Sequence, residues 1–345
     1  MEFINYKDKG LTGLTNLGNT CYINSCMQIL SHTYELNNLL DNDKFKSRLN
    51  NNYDTALLIE WDNLRKLMWQ DNCIISPGKF VQTIHKLASI KKNNNFTGFH
   101  QNDLPEFLLF VVDCFHTSLK REVKMYIQGD EKSNIDKLAK ECYTMIQNMY
   151  RKDYSEVWNL FYGVHVSQIE SMTDKSMLSR TPEPFFMINL QIPLPIKEPT
   201  LIECFEDYVK GEQLTDDNAW YNEKTKKKEN VNKTIRYWSL PTILVIDLKR
   251  FDERGRKNQK NVQFPIEELD LSPYVIGYKK SSYKYSLYGV AYHSGGTMGG
   301  HYYAAVKNAN NKWYNFNDTR VEEIKDLQSI VSPKAYCLFY RKIQG

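Results

Sequence analysis

Residues 13–30 read GLTNLGNTCYINSCMQIL, and Cys21 stands where a polar, Gly-rich turn meets an apolar run. Asn16, Gly18, Asn19 and Thr20 before it are loop and cap types, whereas Ile23, Cys26, Met27 and Leu30 after it recur at helical spacing. This pattern puts Cys21 in the first turn of a helix, where unpaired backbone N–H groups and the helix dipole favour a thiolate over a thiol. The position suits a nucleophile, although a free Cys is often a small buried hydrophobe. A nucleophilic Cys needs a base, and the base needs a third group to orient it. Of the histidines, His32, His85, His116 and His165 lie in segments without catalytic features, and His100 adjoins a helix start. His301 differs, because it opens a strand after HSGGTMGG, a Gly-rich loop that lets a substrate backbone approach closely.

Hairpin arithmetic supplies the third group. If HYYAAVK and KWYNFND pair antiparallel around a five-residue loop, 307–311, Val306 faces Lys312 and His301 faces Asn317. A loop one residue shorter sets Asp318 opposite His301 instead, so either register offers a polar orienter. With Asn317 as partner, its side-chain oxygen accepts the Nδ1–H of His301 and leaves Nε2 for Cys21. Competing chemistries fail on spacing: the sequence has no C-x-x-C or H-x-x-x-H for a metal, no G-x-S-x-G, and no phosphate-binding glycine motif.

The elements that must position these residues change character along the chain. The first half is helical in pattern. In QNDLPEFLLFVVDCFHTSL, Leu104, Phe107, Leu108, Val111, Phe115 and Leu119 share a face, and Asp103 and Glu106 are spaced as a capping box, with Pro105 in the first turn. IDKLAKECYTMIQNM repeats the helical spacing. From about residue 184 the segments are short, aromatic and β-branched, and predict a mostly antiparallel sheet. ILVIDL, apolar on both faces, reads as a central strand, and YSLYGVAYH, HYYAAVK and KWYNF as a meander. Helices followed by strands indicate an α+β protein.

Composition narrows the function classes. With 45 basic and 41 acidic residues the net charge is only +4, too balanced for a nucleic-acid binder, and KTKKKEN reads as a solvated hairpin tip. No apolar run reaches membrane-spanning length, and MEFINYKDKG lacks the pattern of a secretory signal. Seven cysteines without paired spacing point to a reducing compartment, cytoplasmic or nuclear.

From GLTNLGNTCYINSCMQIL to AYCLFYR the sequence resembles the catalytic domain of the ubiquitin-specific proteases, the papain-like cysteine deubiquitinases. FTGFHQNDLPEF, NLFYG, EPFFMINLQIP, ECFEDYVKGEQL, LPTILVIDLKRF, VQFP, YGVAYHSG, GGHYYAAVK and WYNFNDTRV follow in the family's order. The resemblance implies one papain-like α+β catalytic domain: a helical thumb at about 13–160, fingers at about 163–238, and a β palm at about 240–345. By position it implies Cys21 as nucleophile, His301 as base and then acid, and Asn317 as the orienting residue with Asp318 as understudy. Asn16 is implied as the oxyanion-hole side chain. Gln101, Asp103, His293 and Tyr302 are implied as contacts of the ubiquitin tail. The implied reaction is hydrolysis after the C-terminal Gly-Gly of ubiquitin in ubiquitinated proteins, by a monomer, with no cofactor and no metal, nucleic acid or membrane partner. Many relatives carry two C-x-x-C pairs that bind zinc in the fingers; IESMTDKSMLSRT and WYNEKTKKKEN stand there without a cysteine, so the fingers are expected to be metal-free. Two other functions fit the same residues: a peptidase for another Gly-Gly modifier, and an inactive ubiquitin-binding module.

Overall fold

A computed structural model of the chain describes residues 3–41, 43–278, 282–296 and 299–343. Seven helices fill its first half: α1 (Cys21–Ser31), α2 (Tyr34–Asp41), α3 (Asp54–Gln70), α4 (Gly78–Ile90), α5 (Leu104–Leu119), α6 (Asn134–Asp153) and α7 (Glu156–Phe161). A short parallel pair, β1 (Gly13–Leu14) with β2 (Ile74–Ile75), interrupts them. The second half holds β3 (Gly163–Ser171), β4 (Met177–Phe185), β5 (Met187–Gln191), α8 (Leu201–Lys210), β6 (Glu212–Leu214), β7 (Trp220–Asn222), β8 (Lys227–Glu229), β9 (Val231–Ser239) and β10 (Ile243–Lys249). It closes with β11 (Leu269–Asp270), β12 (Lys284–Gly296), β13 (Gly299–Lys307), β14 (Trp313–Asn317), β15 (Arg320–Ile324) and β16 (Ala335–Lys342). The order is the α+β one expected.

The main sheet runs β15-β14-β13-β12-β16-β10-β5, with β11 added beside β12, and is antiparallel except where β10 meets β5. β5 thus joins this sheet although it lies within the stretch expected for the fingers. Alternation along β10 explains its unbroken apolar run. Ile243 and Val245 enter the core shared with α1, α3 and α5, while Leu244, Ile246 and Leu248 enter a second core under α8. A separate sheet, β4-β3-β9-β6, packs on α6, which opens with a capping box between Ser133 and Asp136 and buries Leu138, Ala139 and Cys142 against Val164, Val166 and Trp238. The KTKKKEN run forms the exposed end of the β7–β8 hairpin. Among the described residues no three His, Cys, Asp or Glu side chains cluster as metal ligands would, and no helix is long and apolar enough to cross a membrane.

Helix α1 lies at the centre, packed on β13, β12, β14 and α5, with every residue buried. Its apolar spacing accounts for one face only. The other face is polar and equally buried, and its amide N–H groups bond to the segment beside it: Gln28 Nε2 donates to Thr12 O at 2.7 Å and Asn24 Nδ2 to Leu14 O at 3.3 Å. Gly13 sits between these contacts with its α-carbon against the Thr319 carbonyl, where an added Cβ would fall inside van der Waals contact of backbone. Gly13→Ala should therefore force β1 away from the β14–β15 turn and lower the melting temperature by roughly 2–6 °C, the scale of a 1–3 kcal/mol overpacking cost. An unchanged thermal melt would show that the turn yields freely.

Candidate active site

Cys21 is the first residue of α1, preceded by Thr20. The loop leading to it is wound by Asn16, whose Oδ1 accepts from Gly18 N–H at 3.0 Å and Thr20 N–H at 3.2 Å. With its oxygen so engaged, Asn16 turns its Nδ2 outward, and Asp318 Oδ2 accepts from it at 3.1 Å. One N–H of that amide is left to meet an oxyanion, alongside the backbone N–H groups that start α1. The thiol itself behaves differently from the helix-terminus expectation. Burial, and behind it the Asp318 charge, push its pKa up, and the N–H groups of Tyr302, Tyr22 and Cys21, which pull it down, do not outweigh them. A thiolate therefore requires a proton acceptor beside it.

The β12–β13 hairpin brings that acceptor. Ser294 pairs with His301, and Tyr302 N–H points at Cys21 Sγ across 3.5 Å. The glycines ahead of His301 are strand residues and not a loop, since β12 runs to Gly296 and β13 restarts at Gly299; Thr297 and Met298 lie outside the described residues. Neither expected register of the next hairpin holds. Lys307 pairs with Trp313 and Ala304 with Phe316, so continuing the count by three pairs puts Thr319 opposite His301. The turn is 308–312, closed by Asn308 N–H to Lys312 O and Asn311 N–H to Asn308 O, both 2.9 Å. Asn317 nonetheless shares a face with His301 as its diagonal neighbour. Its Oδ1 lies 2.6 Å from His301 Nε2, not Nδ1 as expected, because the diagonal approach meets the outer end of the ring. Nε2–H donates to Asn317, and Nδ1 is left for the thiol. Asp318 turns to the opposite side, with φ at 51°, a region Asp tolerates better than most residues. There it accepts from Asn24 Nδ2 at 2.8 Å as well as from Asn16.

A cavity of about 230 Å³ adjoins this cluster at Tyr302 and is lined also by Gln101, Asp103, His293, Phe251 and Tyr336, among others. Gln101 Oε1 accepts from Gly300 N–H at 2.6 Å. A Cβ at Gly300 would strike the His293 ring and the Ser294 carbonyl, so only glycine lets the backbone pass between them. Asp103 is the N-cap of α5 by position, yet no side-chain cap bond forms. Its Oδ1 accepts instead from Tyr336 Oη at 2.8 Å and Tyr302 Oη at 3.4 Å, and Glu106 accepts from Asn95 at 2.7 Å, so the expected capping box is absent. Burial holds the Asp103 carboxyl above its usual range. His293 is buried, its rings 4.6 Å from those of Tyr302, and burial together with the Lys257 ammonium pushes its pKa down to about 4. Every site residue expected from sequence thus falls in one continuous region. Sequence reading missed Asn24, Phe251, Tyr336 and Lys257, although the first three lie in segments already singled out, GLTNLGNTCYINSCMQIL, LPTILVIDLKRF and AYCLFYR.

Because burial raises the Cys21 thiol, its reactivity should depend on His301. Alkylation of Cys21 by iodoacetamide at pH 7, followed by peptide mass spectrometry, should slow by roughly tenfold or more in His301→Ala. An unchanged rate would mean that the imidazole takes no proton from the thiol.

The family model for ubiquitin carboxyl-terminal hydrolase matches residues 12–340. Among curated proteins, the ubiquitin carboxyl-terminal hydrolase Usp2 of Drosophila melanogaster is 34% identical over 350 residues, covering 97% of this chain and 35% of its own. Ubiquitin carboxyl-terminal hydrolase 2 of Homo sapiens is 32% identical, over 96% of this chain and 55% of its own. Ubiquitin carboxyl-terminal hydrolase 4 of Saccharomyces cerevisiae (strain ATCC 204508 / S288c) is 30% identical, over 99% and 40%. The chain spans between about a third and a little over half of the length of these relatives. A solved structure, the SAGA Ubp8/Sgf11/Sus1/Sgf73 DUB module bound to ubiquitin aldehyde, shares the fold at a TM-score of 0.72 and 24% identity, over 98% of this chain and 71% of that one. The family match begins before Asn16 and ends beyond Asp318, taking in the whole cluster around Cys21, and the chain belongs to the ubiquitin carboxyl-terminal hydrolase family.

Proposed function

We propose that the chain is a cysteine-type ubiquitinyl hydrolase that cleaves the bond after the C-terminal Gly-Gly of ubiquitin in ubiquitin conjugates. The observation that carries this reading is that Asn317 holds His301 while the N–H of Tyr302, the next residue along β13, points at Cys21 Sγ, beside a passage where Gly300 has no room for a Cβ. A passage crowded by the His293 and Tyr302 rings suits a tail that lacks side chains. The family and the names of its members support the choice of ubiquitin.

In this mechanism His301 Nδ1 takes the Cys21 proton as the sulfur attacks the carbonyl carbon of the second Gly. Asn317 holds the ring in the tautomer that leaves Nδ1 free to accept. The oxyanion receives hydrogen bonds from Asn16 Nδ2 and from backbone N–H at the start of α1. His301 then protonates the departing lysine amine, which leaves a thioester on Cys21; with its proton gone, the imidazole activates water to hydrolyse it. Gln101, Asp103, His293 and Tyr302 hold the tail. All of these groups come from one chain, which supports action as a monomeric single catalytic domain. The seven cysteines are all unpaired, which supports a cytoplasmic or nuclear location.

Two experiments test the assignment. Cys21→Ala should abolish hydrolysis of a ubiquitin C-terminal reporter while ubiquitin still binds; retained turnover would refute the mechanism, and turnover of only another Gly-Gly modifier's reporter would refute the substrate. Among the supporting residues, Asn16→Ala should lower kcat by about 10²–10³, the scale of one lost oxyanion donor. Asp318→Ala should lower it by roughly tenfold, and the double variant should be no worse than Asn16→Ala, because Asp318 acts through Asn16. Asn317→Ala should cost roughly 10–10² in kcat, with Asn317→Asp close to wild type, since a carboxylate accepts the same Nε2–H. Full additivity of the Asn16 and Asp318 effects would separate their roles.

A further inference from the structure

The loop after β10 gathers positive charge around a second cavity, of about 410 Å³, which meets the tail channel at Phe251, a residue lining both. Lys249, Arg250, Arg256, Lys257 and Lys260 line it, against a single lining carboxylate, Asp252. That carboxylate is engaged: Oδ2 accepts from Arg256 Nε at 2.8 Å, and Oδ1 from the N–H groups of Arg254 and Arg256 at 2.9 and 2.8 Å. Lys249 pairs with Asp247 outside the cluster at 3.0 Å.

The other three cations meet only uncharged acceptors among the described residues. Arg250 donates through Nε to Ala335 O at 2.5 Å and through Nη1 to Asn258 O at 3.0 Å and Lys260 O at 2.9 Å. Its side chain is 1% exposed, and Nη2 has no acceptor among the described residues. Lys257 Nζ donates to His293 O at 2.6 Å and lies 3.0 Å from His293 Nδ1. Lys260 Nζ is ringed by the carbonyls of Pro193, Leu194 and Ile196. Holding three such charges together is unfavourable unless a counter-charge shares the space. The strain is visible in Lys257, pushed down to about 8 by burial and then by the charges of Arg250 and Lys334.

We propose that this cavity is a binding site for a phosphate-class oxyanion, held by Arg250 Nη2 and the remaining N–H of Lys257, with Arg256 at the rim and the Lys260 ammonium adding charge. A dianion matches the summed charge of three cations lining one cavity better than a lone carboxylate does, and Arg250 Nη2 and one N–H of Lys257 are the donors left open to its oxygens. The site is separate from the catalytic cluster and does not depend on the reaction assigned to it.

The test uses the whole chain at pH 7, titrated with inorganic phosphate while sodium chloride keeps the ionic strength constant. Melting temperature and acetylation of Lys257 by acetic anhydride, mapped by mass spectrometry, are read in parallel. Phosphate should raise the melting temperature saturably and protect Lys257 over the same concentration range. Lys257→Met and Arg256→Gln should each weaken phosphate about tenfold, the worth of one charge-assisted contact. Arg256 is 72% exposed, so its variant keeps the test decisive if Lys257→Met does not fold. A phosphoserine peptide that competes with phosphate identifies a phosphorylated side chain as the source, and failure to compete identifies the free ion. A response that chloride reproduces, or affinity unchanged in folded Arg256→Gln, overturns the proposal.

Discussion

The structure turns on one carboxylate. Asp318 accepts from Asn16 and from Asn24, residues 302 and 294 positions away, and its backbone carbonyl accepts from Leu14 N–H at 2.9 Å. Bonds to a charged acceptor contribute about 1.5–3 kcal/mol each, and here they fasten the last strands of the chain to the loop and helix that carry Cys21. No local preference could bring those segments together, since the loop-closure cost is met only when contacts of this kind form at once. The positive φ of Asp318 is the strain that aims one side chain at two amides while Asn317, its neighbour, faces the other way. Alternation of side chains at this strand end separates two contacts, one to His301 and one to Asn16 and Asn24, onto adjacent residues.

Burial around α1 sets the chemistry that this joint can support. A helix N-terminus favours a thiolate in isolation, yet burial, with the Asp318 charge behind it, raises the Cys21 pKa against three backbone N–H groups that lower it. The helix start alone therefore does not activate this thiol. The same balance acts on His293, which burial keeps neutral, and on Asp103, whose carboxyl is held by two tyrosine hydroxyls. The channel thus presents an imidazole and tyrosine hydroxyls around the Asp103 carboxyl, with Lys257 beside His293 at its edge.

Much of this was legible in the sequence. Helical spacing after Cys21, the double-faced apolar run of β10 and the order of motifs gave the α+β fold and brought out Cys21, His301 and Asn317 as candidates, because these features depend on period and on residue type. What escaped depends on contacts between distant segments. Asn24 and Gln28 look like the solvent face of an amphipathic helix, and only the strand at 12–14 makes that face an interior one. Asp103 has the spacing of a cap, but two tyrosines from β13 and β16 outbid the backbone for its oxygen. The nitrogen that meets Asn317 was misassigned because counting residues around a turn fixes neither the pairing nor the side of the ring approached.

That pairing is fixed from outside the hairpin. At the turn, Asn308 Nδ2 donates to Lys9 O at 2.8 Å, Asn308 Oδ1 accepts from Asp8 N–H at 3.2 Å, and Asn310 Nδ2 donates to Asp8 Oδ1 at 2.7 Å. At the other end, Leu14 N–H holds the Asp318 carbonyl. A one-residue slip between β13 and β14 would have to break both sets together and would turn Asn317 away from His301, because it reverses every side chain of the strand. Residues 8–14 therefore act as a clamp on both ends of the strand pair that carries His301 and Asn317, and they hold the register on which the contact between those two side chains rests.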